Sequence, residues 1–175
     1  MYIVPGSRVG LAVLSTAVVA SSVLLAQPES QSKEAADGLA RAIFRELVEI
    51  PTTAEQGATP KASQAIVTRL IAAGFAPADA QVLGPNAGAP CVVARYRGSD
   101  PGARPILFMA HMDVVPARRE DWSVDPWTLL ERDGWFYGRG TSDNKTGVTS
   151  LVANFVRLRS EGWRPRRDLI AVLTG

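Results

Sequence analysis

The sequence predicts an α/β fold, a mixed sheet flanked by helices, and three observations carry that prediction. Segments whose apolar residues recur at helical spacing alternate with short, wholly apolar runs. Asp133-Gly134 stands between two short aromatic stretches, the strongest hairpin signal in the chain. The composition, 46% hydrophobic and 21% charged over 175 residues, is that of a globular domain with a core of its own.

Each element follows from its local pattern. Leu39, Ile43, Leu47 and Ile50 keep helical spacing until Pro51 stops them. A second helix is expected from Pro60 to Ala73, with Gly74 closing it. The Gly/Pro/Ala-rich passage from Ala76 to Pro90 reads as a connection. A strand from Cys91 to Tyr96 ends at the turn Gly98-Ser99-Asp100-Pro101-Gly102. The run from Pro105 to Ala110 has the continuous apolar character of a strand buried on both faces. Trp127 to Leu130 and Trp135 to Tyr137 form the arms of the hairpin. Val148, Leu151, Val152, Phe155 and Leu158 make an amphipathic helix from Thr146 that ends near Gly162, and Leu169 to Leu173 is the last strand.

The first 26 residues stand apart. Arg8 precedes an uncharged run from Val9 to Ala26, the plan of a secretory signal peptide, with Val18-Val19-Ala20 and Leu24-Leu25-Ala26 as two cleavage endings. An uncleaved N-terminal anchor is the alternative, since about 20 apolar residues cross a bilayer. Residues 27–34 then read as a linker and 35–175 as the globular part. Both readings put the protein outside the cytoplasm, secreted or periplasmic, with no membrane contact once a signal is removed.

Several classes are excluded. A net charge of +2 is small, and the cluster Arg164, Arg166, Arg167 has no aromatic interleaving, so nucleic-acid binding gains no support. The single cysteine, Cys91, has no disulfide partner and is expected as a small buried apolar residue.

Two constellations carry chemistry. In His111-Met112-Asp113, residues i and i+2 of an extended segment point the same way, so an imidazole and a carboxylate converge while Met112 turns inward. That arrangement suits a metal-ligating histidine oriented by a carboxylate on its second nitrogen; a strand-end pair that only satisfies its own hydrogen bonds is the alternative. In Gly138-Arg139-Gly140-Thr141-Ser142-Asp143-Asn144-Lys145, paired glycines permit a close backbone approach, and Asp143 lies between hairpin and helix. There it could bridge two cations or cap the helix. The glycine spacing matches neither phosphate-binding pattern.

Taken together, His111-Met112-Asp113-Val114-Val115-Pro116, a spacer with Trp122 and Trp127, and the Gly138–Lys145 run resemble the di-zinc exopeptidase family of carboxypeptidase G, carnosinase and the aminoacylases. The resemblance spans about residues 35 to 175. It implies a zinc-exopeptidase-like catalytic domain, truncated in this chain, and a hydrolase that cleaves amide bonds of small peptides. N-acyl amino acid deacylation is the alternative activity, and a non-catalytic binding module is a reading from outside the enzymes. The resemblance gives His111 and Asp143 as metal ligands, with Asp143 bridging two zinc ions and cobalt or manganese as alternatives. Asp113 becomes the catalytic residue that clamps the imidazole. A cis peptide is implied after Asp143, and Asn144, where relatives commonly carry Asp, is no ligand. The resemblance further implies that a general-base Glu and a ligand Glu directly follow Thr174-Gly175. A later Asp, a later His and a smaller domain that makes a homodimer are expected beyond residue 175. Residues 1–175 alone are accordingly expected to have no peptidase activity.

Overall fold

A computed structural model describes residues 28–175, and the signal segment expected at 1–26 lies outside them. Helix α1 (Pro28–Val48) is followed by α2 (Thr59–Ala72) and strands β1 (Ala80–Leu83), β2 (Cys91–Tyr96) and β3 (Ile106–His111). The hairpin strands β4 (Leu130–Arg132) and β5 (Trp135–Tyr137) lead to α3 (Lys145–Ser160) and β6 (Leu169–Thr174). The main sheet has the order β1-β2-β6-β3, antiparallel except for β3 against β6, and is therefore mixed.

The three helices cover one face of this sheet. Val92, Ala94 and Tyr96 of β2, Ala171 and Leu173 of β6 and Ala110 of β3 alternate inward, meeting Ile43, Leu47, Ile66, Leu70, Val148, Val152 and Phe155 from the helices. Phe75, Tyr96 and Phe155 pack ring against ring at the heart of it, with centroids 5.2 to 6.1 Å apart. The β4–β5 hairpin makes a smaller cluster, in which Leu129 and Phe136 meet Phe44 and Val48 of α1.

Five expectations change. The first helix begins at Pro28, within the segment read as a linker. The passage from Ala76 to Pro90 contains a strand, β1, whose pattern of one buried and three exposed residues is too short to register as a periodicity; its pairing with β2 makes it a strand. The first hairpin arm is Leu130–Arg132 rather than Trp127–Leu130, while the second is Trp135–Tyr137 as expected, because Asp133 (φ 54°) and Gly134 (φ 78°) are both left-handed and form a two-residue loop joining Arg132 directly to Trp135. Finally, β3 is not buried on both faces: it is an edge strand among the described residues, with Leu107 57% and Met109 66% exposed on the side away from the helices. Cys91 is half-buried at the start of β2 rather than fully enclosed.

Candidate metal centre

The tip of β3 forms half of the site. His111 pairs with Thr174, and the chain beyond it stays extended because both of its edges are bonded. Met112 N–H donates to Thr174 O at 2.7 Å, while Val114 N–H donates to Thr52 O at 3.1 Å. The wholly buried Thr52 hydroxyl donates to Met112 O at 2.6 Å. Extension fixes the alternation: Met112 enters the core at 1% exposure, and His111 and Asp113 face one cleft.

The other half is a loop between β5 and α3. Arg139 N–H donates to Pro126 O at 2.7 Å, and its guanidinium donates to Pro116 O at 3.3 Å and lies 5.1 Å from the centre of the Trp122 ring. The two motifs are thereby tied through the Trp-bearing spacer. Gly140 has φ 84°, and a Cβ there would stand 2.8 Å from Val114 Cγ1 and 3.0 Å from Lys145 Cδ. Lys145 is 1% exposed and donates from Nζ to Ile50 O at 2.7 Å, joining the start of α3 to the chain just after α1. Burial pulls its ammonium down to about 8.

The cap of α3 is Asn144, not Asp143. Asn144 Oδ1 accepts from Gly147 N–H at 3.2 Å, and a Cβ at position 147 would stand 2.2 Å from that oxygen, so the cap requires glycine there. The Asp143–Asn144 peptide is cis. With capping done by its neighbour, Asp143 turns its carboxylate outward, 85% exposed, and Oδ1 lies 2.9 Å from His111 Nε2.

The structure therefore brings His111, Asp113 and Asp143 together in one cleft of about 320 Å³, walled in part by Trp122 and Arg139. On the opposite side of the ring, His111 Nδ1 lies 3.1 Å from the Asp113 carbonyl and 3.2 Å from its Oδ1. Burial depresses the imidazole pKa, but the bonds to Asp143 and Asp113 outweigh it and the net shift is upward. An acceptor on Nδ1 holds the proton there and leaves the Nε2 lone pair for a cation, which would take the place of the proton shared with Asp143. Thr52, Lys145 and Asn144 support this geometry and went unassigned in the sequence. Only the cap had a readable signal, a side-chain amide directly before a helix.

The donors present fit part of a metal shell. One imidazole nitrogen and one carboxylate oxygen converge, but among the described residues no group of three or more His, Cys, Asp or Glu side chains could hold an ion. A catalytic zinc commonly takes three protein ligands.

Residues 107–175 match the model of Peptidase family M20/M25/M40. The mouse N-fatty-acyl-amino acid synthase/hydrolase PM20D1 is 42% identical over 88 residues, which are 47% of this chain and 18% of that protein. Human Beta-Ala-His dipeptidase is 45% identical over 64 residues, 36% of this chain and 13% of that protein. The structure of the di-peptidase Dug1p from Saccharomyces cerevisiae superposes with a TM-score of 0.68 at 21% identity, over 83% of this chain and 33% of the other. The chain thus spans less than a fifth of the curated relatives it matches, and the structural likeness establishes the fold.

Proposed function

We propose, from the match of residues 107–175 to the model of Peptidase family M20/M25/M40, that the protein is a member of that family and a metal-dependent hydrolase of amide bonds in small peptides or N-acyl amino acids. The observation that carries this reading is the 2.9 Å approach of His111 Nε2 to Asp143 Oδ1 across 32 positions of sequence. The dipeptidase and the N-fatty-acyl-amino acid hydrolase among the relatives support the substrate range.

In this reading His111 Nε2 and the Asp143 carboxylate would together hold the cation. Asp113 keeps the imidazole proton on Nδ1 and fixes the ring. Zinc, two ions per complete site, would supply a polarised carbonyl and a water acidic enough to lose a proton near neutrality. Hydrolysis breaks the amide C–N bond, adding the water hydroxyl to the acyl carbon and a proton to the leaving amine. Among the described residues the cleft offers two converging donors, one imidazole nitrogen and one carboxylate oxygen. Residues 1–26 export the protein, so that the site works outside the cytoplasm. Among the described residues no helix is long and apolar enough to cross a membrane.

The test is metal content and hydrolysis by the complete protein. Purified protein should hold metal, cleave a dipeptide or an N-acetyl amino acid, lose activity to a chelator and regain it with zinc. Cleavage that survives complete metal removal would overturn the assignment.

A further inference from the structure

A second cavity lies at the end of the sheet opposite the metal ligands, where β2 finishes and β3 and β6 begin. It has a volume of about 350 Å³ and is enclosed by the turn that closes α2, the end of β2 and the last turn of α3. Phe75 and Tyr96 give it aromatic walls, and Asp79, Arg97 and Arg159 bring charge to it.

These charged groups are only partly used by the fold. Asp79 is 7% exposed; its Oδ2 accepts from Arg97 Nε at 2.7 Å, while its buried Oδ1 has no donor among the described residues. An enclosed carboxylate oxygen without a partner is costly, and folds seldom leave one so. Arg97 engages through Nε alone, so its terminal nitrogens remain for an acceptor. Arg159 donates from one terminal nitrogen to Gly74 O at 2.9 Å and lies 5.6 Å from the centre of the Phe75 ring. Its other N–H groups have no acceptor among the described residues. Arg95 also lines the cavity, but its guanidinium is taken up by Asp168.

From this juxtaposition we propose that the cavity binds a free amino acid as its zwitterion. The ammonium donates to Asp79 Oδ1, the carboxylate accepts from Arg97 and Arg159, and an apolar side chain lies against Phe75. A simple anion would leave Asp79 unpaired, and a simple amine would leave both guanidinium groups without an acceptor. The volume lies in the range of small-molecule sites. Hydrolysis of a small peptide or an N-acyl amino acid releases such a zwitterion. On the hydrolase reading above, the cavity therefore takes up a product of the reaction. Helix α3, 16 residues long, separates it from the metal centre by on the order of 20 Å.

The test is calorimetry on the complete protein carrying His111→Ala, which removes the metal centre's own hold on amino acids. The probes are leucine, isocaproate, which lacks the amine, and isoamylamine, which lacks the carboxylate. Leucine should bind at least about tenfold more tightly than either, the difference expected for one charge-assisted hydrogen bond. Asp79→Asn should weaken leucine about tenfold without weakening isocaproate. Asp79 also holds Arg97, so Arg159→Gln is the second variant: Arg159 is exposed, and its loss should weaken leucine and isocaproate alike. No leucine binding, equal affinity for the three probes, or variants that leave affinity unchanged would overturn the proposal. Leucine bound in this way by a parent protein that hydrolyses no amide would keep the site and sink the hydrolase reading. Hydrolysis without this binding would do the reverse.

Discussion

The two halves of the candidate metal centre are built by different means. His111 and Asp113 lie on a strand extension whose backbone is bonded on one edge to Thr174 and on the other to Thr52. Asp143 lies on a loop with no ladder, held by a left-handed Gly140, a buried Lys145 and the Asn144 cap. On the strand, period-two alternation aims the side chains, and almost any extended backbone would do the same. The loop depends on side chains from elsewhere to hold it in place. The strand half should therefore tolerate change everywhere except at the functional side chains, whereas the loop half should fail through residues that never touch a substrate.

Five measurements would sharpen or break this contrast. The largest effect is expected at the strand, where His111→Ala in the complete protein should lower metal affinity by more than about a hundredfold, read as metal content after dialysis, with unchanged thermal stability. Retained metal would mean that the imidazole is no ligand. The next concerns Lys145, whose amine titrates at about 8 in the fold against 10.5 when exposed. The folded state thus gives up the proton first, the unfolded state binds more protons between those values, and stability should rise with pH across that window, by up to about 3 kcal/mol. Below pH 8 both states are protonated and the cost of burying the charge is fully present. Lys145→Met should flatten the slope in urea titrations taken at successive pH values; an unchanged slope would refute the assignment.

Gly140→Ala adds a Cβ 2.8 Å from Val114 at a left-handed φ, and should cost about 2 kcal/mol in denaturant midpoint while also loosening metal binding. A variant as stable as the parent would show that the loop yields more readily than its contacts suggest. Asp113→Asn should weaken metal binding about tenfold, the lower end for a residue behind a ligand, because the Asp113 backbone carbonyl remains 3.1 Å from Nδ1 to orient the ring. A thousandfold loss would instead point to direct coordination. The smallest effect is expected for Asn144→Ala, about 1 kcal/mol from the lost cap, with the melting temperature as its measure.

The exposed side of β3 follows the same division between what a pattern says and what the fold supplies. The apolar run from Pro105 to Ala110 predicts a strand and the fold has one at Ile106–His111, yet its outward residues Leu107 and Met109 remain 57% and 66% exposed. An apolar run shows that a strand belongs in an interior, and says nothing of which element covers it. Likewise β1 was illegible, because four residues with one buried carry no period, and it is a strand only by pairing with β2.

The sequence by itself determined the helices and the long strands, the hairpin turn and the pairing of His111 with Asp113, since each rests on a repeat of two or 3.6 residues or on a left-handed dipeptide. Tertiary structure alone decided that Asp143 meets His111 and that Asn144 rather than Asp143 caps α3. Those outcomes depend on contacts tens of residues apart, Lys145 to Ile50 and Thr52 to Met112 among them, and no local pattern encodes the partner of a buried donor.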